Sequence, residues 1–186
     1  HEYQTGFHTH SNESQFDVQE NLRRSGMRPI ESLEKLGLLD VPKTLLAHCV
    51  WADANEIQIL KQHAVGVAHN PISNMKLASG AAPIVEMLRQ GIAVGLGTDG
   101  EKENNNLDMF EEMKTASLLA KFSNLDAAAL DAWSVCQMAT LTGAKALGMQ
   151  HEIGSLEVGK QADLIAVKLD TPRMTPLIDH GRLFNL

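Results

Sequence analysis

The sequence has few cysteines, no cluster of basic residues and no long apolar run. Each of these absences argues against one class of protein. Its two cysteines, Cys49 and Cys136, lie far apart and form no CxxC pair, which indicates a reduced, cytoplasmic setting. The formal net charge is -7, and no run of Lys or Arg offsets it, so no nucleic-acid-binding groove is expected. No apolar run approaches the roughly 18 residues of a membrane span, and no signal peptide is visible. The composition therefore predicts a protein that binds neither nucleic acid nor membrane.

The chain also lacks an initial Met, and its first residues, HEYQTGFHTH, are typical of the end of a helix followed directly by a strand. We therefore expect a fragment of a longer chain. Its 186 residues, of which 44% are hydrophobic, suffice for the core of one domain or slightly more.

Four short apolar runs predict β-strands, and the segments between them have helical periodicity. The predicted strands are Thr5–His10, Thr44–Val50, Val65–His69 and Ile92–Thr98. The longer predicted helices are Phe16–Ser25, Leu107–Phe122 and Ala127–Leu147. This alternation is typical of an α/β fold with a parallel sheet.

The pattern changes after Gly148, where two glycine turns and the β-rich run Leu164–Leu169 follow one another without a helix. We expect this part to be a small β segment attached to the α/β body. The predicted boundary separates residues 1–150 from residues 151–186.

Polar side chains that can bind a ligand lie at or just after the carboxyl end of each predicted strand. They are His10 with Glu13, then His48, then His69 with Asn70, and finally Asp99. Taken alone, Asp99 is equally compatible with an N-cap for a helix that begins near Leu107. In a parallel α/β architecture, however, the chemistry gathers at the carboxyl ends of the strands. Four such strand ends in succession therefore favour one converging site.

The residue types in this set favour a metal centre. His and Asp suit a Zn²⁺ or Fe²⁺ ion with nitrogen and oxygen ligands, and the cysteines are badly placed to contribute. Glu13 lies three residues after His10, on the turn that leaves the strand, where it can move protons without ligating the metal.

A family resemblance rests on six ordered motifs that cover nearly the whole chain. The motifs are HSNES, LLAHCV, VAHNPISNMKLASGAAPI, GLGTDGEKENNNLDMFEEMK, MATLTGAKALGM and IGSLEVGKQADLIAV. Their order resembles the C-terminal part of the amidohydrolase superfamily, in the branch that contains nucleobase deaminases and triazine hydrolases. The resemblance implies half of a metal-dependent (β/α)₈ barrel, strands five to eight, and the start of a small β-sandwich at residues 151–186.

The resemblance also implies roles for individual residues. His10 and Asp99 would be metal ligands, while Glu13, His48 and Asp99 would be catalytic, with His48 beside the metal-bound water. Substrate would contact Glu13, Asp99, His69 and Trp51, the last at a position where many relatives have His.

The implied function is that of a metal-dependent hydrolase that acts on carbon–nitrogen bonds other than peptide bonds. The expected reaction is hydrolytic deamination of a purine-type or other heteroaromatic amine, with one Zn²⁺ or alternatively Fe²⁺. A homo-oligomer is expected for the full-length form. Two further hypotheses stay open: a triazine chlorohydrolase or cyclic-amide hydrolase of the same superfamily, and a catalytically incomplete fragment.

The last hypothesis arises because the H-x-H pair of strand one is missing. The HTH sequence that ends at His10 also resembles that pair, but Glu13 follows at the H-x-x-E spacing. No room exists between His10 and His48 for three further strand–helix units. We therefore place His10 on strand five and expect His8 to be a buried, hydrogen-bonded residue.

Overall fold

A computed structural model describes residues 5–171 of the chain. The strands are β1 (His8–Ser11), β2 (Leu45–His48), β3 (Gly66–His69) and β4 (Val94–Leu96). The helices of the first half are α1 (Gln15–Ser25), α2 (Pro29–Lys35), α3 (Ala54–Gln62), α4 (Pro71–Lys76) and α5 (Ile84–Arg89), with a 3₁₀ turn at Leu38–Asp40. Those of the second half are α6 (Glu101–Asn104), α7 (Met109–Asn124), α8 (Ala132–Ala139) and α9 (Leu141–Ala146).

The four strands form one parallel sheet in the order β1-β2-β3-β4. Leu46 pairs with Thr9 on one side and with Val67 on the other, and Val67 pairs in turn with Val94. Each strand leads through at least one helix to the next, as parallel pairing requires. The predicted α/β class and all four predicted strands are confirmed.

The hydrophobic core lies on one face of this sheet. Leu46, Val67 and Val94 are completely buried, and they share a face because they occupy matching register positions. Helices α2, α3, α5 and α7 contribute buried side chains to the same cluster, among them Ile30, Leu60, Met87 and Ala116. Burial of this apolar surface is the main force that holds the helices against the sheet.

The opposite face of the sheet is approached closely by α9. A Cβ atom on Gly66 would overlap the carbonyl oxygen of Ala146, and a Cβ on Gly95 would lie 2.9 Å from the Cα of Gly143. Glycine is therefore required at these strand positions because the backbones of helix and sheet almost touch.

The prediction of a single helix at Ala127–Leu147 is wrong. Asp131 is the N-cap of α8 and accepts a hydrogen bond from the Ser134 N–H. Helix α8 ends before Thr140, whose φ of -131° and ψ of -98° are not helical. The break lets α9 turn onto the sheet.

Helices α4 and α6 are additional short elements that periodicity alone does not predict, because each is shorter than two turns. None of the helices within residues 5–171 combines the length and the apolar character that crossing a membrane requires.

The predicted β-rich run Leu164–Leu169 forms no strand in the structure. Its apolar side chains are exposed, Ile165 to 76% and Leu164 to 67%. A strand needs a hydrogen-bonded partner, and the described residues offer none to this run. Residues 172–186 lie outside the described part of the chain, so the division at residue 150 remains a prediction.

The segment after β4 is tied to the fold by Asn104, the first of three consecutive asparagines. Its side-chain amide donates one hydrogen bond to the Thr98 carbonyl at 2.7 Å and another to the Glu112 carboxylate. Glu112 lies on α7 and is completely buried, and burial raises the pKa of its carboxyl group. Asn104 thus connects the end of β4 to the interior of the molecule.

Substitution of Gly66 by Ala tests the close approach of α9. The new methyl group overlaps the Ala146 carbonyl, so we expect a loss of unfolding free energy of about 1–3 kcal/mol, measured by urea denaturation. Gly26→Ala is the matched control, because Gly26 has a φ of +72° but open space around it and is expected to cost only about 1 kcal/mol. Equal losses in the two variants would contradict the contact.

Substitution of Asn104 by Ala tests the connection between β4 and α7. The change leaves the buried Glu112 without its amide donor, so the unfolding free energy should fall by about 1–3 kcal/mol. Asn106→Ala is the control from the same asparagine run. Within the described residues the Asn106 side chain donates only to the exposed Glu111 at 2.8 Å and accepts the N–H of Asp108 at 3.2 Å. Urea midpoints of both variants are compared, and a larger loss at Asn106 would refute the assignment.

Candidate active site

Three of the predicted site residues meet at the carboxyl edge of the sheet. One ligand atom from each of His10, His48 and Asp99 lies within 4.8 Å of the other two. The imidazole rings of His10 and His48 stack with centroids 5.4 Å apart and planes inclined by 23°. They come from adjacent strands, so the parallel pairing of β1 and β2 brings them together.

The backbone at these strand ends is unusual. Asn12, His48, Cys49 and Asp99 all have left-handed φ values, of 52°, 72°, 49° and 58°. This conformation is unfavourable for residues with a Cβ, although Asn, Asp and His tolerate it best. Strained backbone of this kind is common at functional sites. Here the left-handed residues change the direction of the chain at or shortly after the ends of β1, β2 and β4.

His48 is held in one orientation by Asn74. Its Nδ1 lies 2.8 Å from the Asn74 amide oxygen, so Nδ1 carries the proton and donates it to that oxygen. Its Nε2 then has a free lone pair and finds no hydrogen-bond partner within residues 5–171. This atom lies 3.9 Å from Oε2 of Glu13 and 3.7 Å from Oδ2 of Asp99. The buried imidazole therefore presents an acceptor between two carboxylates.

Asp99 is fixed by two hydrogen bonds. Ser73 donates its hydroxyl to Oδ2 at 2.6 Å, and the Gly100 N–H donates to Oδ1 at 2.9 Å. Partial burial alone would raise the pKa of Asp99, but the Ser73 and Gly100 hydrogen bonds, together with the two histidines, hold that pKa below its usual value. Asp99 is therefore ionised at neutral pH. It caps no helix, because α6 begins after Gly100 and α7 after Asp108.

The donor set fits a divalent metal ion of the zinc or iron type. Two imidazoles and one carboxylate are the nitrogen and oxygen ligands that such ions prefer. The unpartnered Nε2 of buried His48 is what a ligand or a bound water would satisfy. Glu13 does not belong to the metal-type group found in the described residues, and its role as a proton shuttle stays a prediction.

The two other predicted substrate contacts differ in exposure. Trp51 is 37% exposed, and its indole Nε1 donates to the Ser79 carbonyl at 2.7 Å. His69 is only 2% exposed, and burial, aided by His48, lowers the pKa of His69 to about 3, which keeps it neutral. Trp51 thus offers an open ring face, whereas His69 lines the interior.

His8 is exposed in the structure, so the prediction that it is buried is wrong. It lies on β1, the edge strand of the sheet, where only β2 pairs with it. The described residues place no element over this position.

Sequence reasoning missed Ser73 and Asn74, which orient Asp99 and His48. Both lie on α4, whose first residue is Pro71, and both are completely buried. The available signal was a proline directly after the polar strand end His69–Asn70, since proline favours the first turn of a helix. That helix carries the supporting hydrogen bonds into the site.

Comparison with known proteins gives curated relatives that are similar to nearly the whole chain. A 5-methylthioadenosine/S-adenosylhomocysteine deaminase of Syntrophomonas wolfei is 49% identical over 178 residues, which are 96% of this chain and 41% of the relative. The chain thus spans about two fifths of the length of the curated relatives it matches.

Solved structures show the same fold. An adenosine deaminase from Xanthomonas campestris with bound zinc superposes with a TM-score of 0.90 at 41% identity, over 96% of this chain and 40% of the other. An atrazine chlorohydrolase from Arthrobacter aurescens complexed with zinc gives 0.87 at 31% identity, over 96% and 39%. The predicted fold class, part of an α/β barrel, is confirmed.

The family model described as "Amidohydrolase family" matches residues 1–184. It therefore covers the six motifs, the four strands and the three residues that meet at the carboxyl edge. The resemblance inferred from the motifs is confirmed: the chain belongs to the amidohydrolase family.

Proposed function

We propose that the whole protein is a metal-dependent aminohydrolase that deaminates the purine ring of an adenosine-type nucleoside, such as 5-methylthioadenosine or S-adenosylhomocysteine. The observation that carries the proposal is the position of His48 Nε2, within 4 Å of both Glu13 and Asp99 and without a hydrogen-bond partner among residues 5–171. The deaminase relative at 49% identity supports the choice of substrate class.

His10 and Asp99 would hold the metal, and His48 lies close enough to bind either the metal or its water. The zinc in two similar structures favours Zn²⁺ over Fe²⁺. A bound Zn²⁺ lowers the pKa of water toward about 7 and so supplies hydroxide at neutral pH.

The protein residues then divide the proton transfers. Ionised Asp99 and the free lone pair of His48 accept protons from the attacking water. Glu13 donates its carboxyl proton to a ring nitrogen, which makes the neighbouring carbon electrophilic. Of the two protons taken from the water, one then goes to the amino group, which departs as ammonia, and the other restores the Glu13 carboxyl group. Water is consumed and the ring amine becomes a carbonyl, so the reaction balances without another reactant.

A second candidate is hydrolysis of a halogenated triazine, favoured by the 0.87 TM-score with an atrazine chlorohydrolase. Chloride needs no proton to depart, so this reaction would depend less on Glu13. Separate assays for ammonia and chloride release distinguish the two candidates.

We also propose a cytoplasmic location, for which the two free thiols are the support, and a homo-oligomeric whole protein.

The Glu13→Gln variant of the whole protein tests the proton donor. The amide cannot donate the required proton, so kcat for 5-methylthioadenosine deamination should fall at least about 10²-fold. Bound zinc, measured by elemental analysis, should stay constant, because Glu13 is not a proposed ligand. Glu86→Gln is the control, since Glu86 is an exposed residue of α5 whose side chain, in the described part of the chain, bonds only Gln90. Deamination at the wild-type rate in Glu13→Gln would exclude this role.

The Asp99→Asn variant tests the combined role of the carboxylate. The amide keeps the shape but loses the charge that binds metal and accepts a proton, so deamination should fall to background even with excess Zn²⁺. Ser73→Ala removes only the hydroxyl donor to Oδ2 and should retain most of the activity. Recovery of the Asp99→Asn variant by added zinc would show that Asp99 binds metal without accepting the proton.

A further inference from the structure

A second buried carboxylate, Glu56, lies outside the metal-type group. It is the third residue of α3 and is completely buried. Its Oε2 accepts hydrogen bonds from Asn12 Nδ2 at 2.8 Å, from Arg28 Nε at 2.8 Å and from the Asp53 N–H at 3.2 Å. Its Oε1 accepts the N–H of Ile30 at 3.1 Å. One side chain therefore joins the segment after β1 and the first turns of α2 and α3.

The charge of Glu56 is matched by Arg28. The guanidinium pairs with Glu56 at 2.8 Å and with Asp53 at 2.9 Å, and its Nη2 donates to the Trp51 carbonyl at 2.5 Å. A buried carboxylate is tolerated only when its lone pairs are satisfied in this way. Loss of Arg28 would leave the buried carboxylate of Glu56 without its cation, whereas Arg28 is also paired with Asp53.

Asn12 connects this network to the proposed proton donor. Its backbone carbonyl accepts the Trp51 N–H at 2.9 Å, and its left-handed φ of 52° turns the chain directly before Glu13. On the other side of Glu13, Ser14 and Asp17 form a capping box at the start of α1. Glu13 is thus placed between two fixed residues.

Within residues 5–171 the Glu13 side chain makes no hydrogen bond that would orient it. Within the described residues its polar neighbour is His48 Nε2, at 3.9 Å, which is beyond hydrogen-bond distance. The position of the Glu13 carboxylate therefore depends on its backbone.

We propose that Asn12, Arg28 and Glu56 are positioning residues that fix the backbone of Glu13, with the backbone amide and carbonyl of Trp51 as further anchors of the same network. This inference rests on the proposed function for the role of Glu13. Displacement of a catalytic group by about 1 Å can cost about 10²-fold in rate. A substitution that removes the charge of Glu56 should therefore lower kcat, although Glu56 touches no substrate.

A double-mutant cycle in the whole protein tests the proposal. Glu56→Gln keeps the side-chain size but replaces one accepting oxygen by a donor. We expect it to lower kcat roughly 10- to 10²-fold, with zinc content unchanged. In a Glu13→Gln background the same substitution should have little further effect on kcat, because the group that it positions no longer acts. Glu86→Gln should leave kcat unchanged in both backgrounds.

A full, undiminished effect of Glu56→Gln in the Glu13→Gln background would overturn the proposal, since a merely structural role adds independently. So would an unchanged kcat in Glu56→Gln with wild-type Glu13. If Glu13→Gln alone proves fully active, the proposed function fails instead, and the two failures are thereby distinguished.

A second variant covers the case in which Glu56→Gln does not fold. Asn12→Gly retains the left-handed conformation at no steric cost but removes the bond to Glu56. Its effect on kcat is measured with wild-type Glu13 and again in the Glu13→Gln background. A drop in kcat that vanishes without Glu13 supports the proposal, and an additive drop or no drop overturns it.

Discussion

The hydrogen-bonded ladder of four parallel strands is the constraint on which the rest of the structure depends. Because the strands are adjacent in chain order and point the same way, their carboxyl ends share one edge of the sheet. His10, His48 and Asp99 are far apart in the sequence but become neighbours there. Antiparallel pairing of any strand would move its terminal residue to the opposite edge and divide the site.

Two buried carboxylates organise the segments that leave this edge. Glu56 binds the segments after β1 and β2, and Glu112 binds the segment after β4 through Asn104. Both lie on helices that pack outside the sheet, so the helices do more than cover the core. They supply carboxyl oxygens as acceptors for amide donors on the connecting segments, which are otherwise the least constrained parts of an α/β fold.

The sequence predicted most of what depends on local periodicity and residue type. The four strands and the convergence of His10, His48 and Asp99 follow from apolar runs and from the geometry of parallel sheets. The break at Thr140 did not, because it reflects the close approach of Gly143 to Gly95, a contact between distant segments. Asn74 was missed for a related reason, since its significance arises only when α4 brings it beside His48.

The left-handed backbone at the strand ends has a consequence for how the sequence can vary. Asn, Asp and His, with glycine, are the residues that tolerate this conformation best, and Asp and His also bind divalent metals. At His48 and Asp99 the conformational requirement and the chemical requirement therefore select the same small set of amino acids. Substitutions at these two positions are therefore limited both by the backbone conformation and by the chemistry of the side chain. A β-branched replacement would strain the folded backbone even in a protein that had lost its catalytic role.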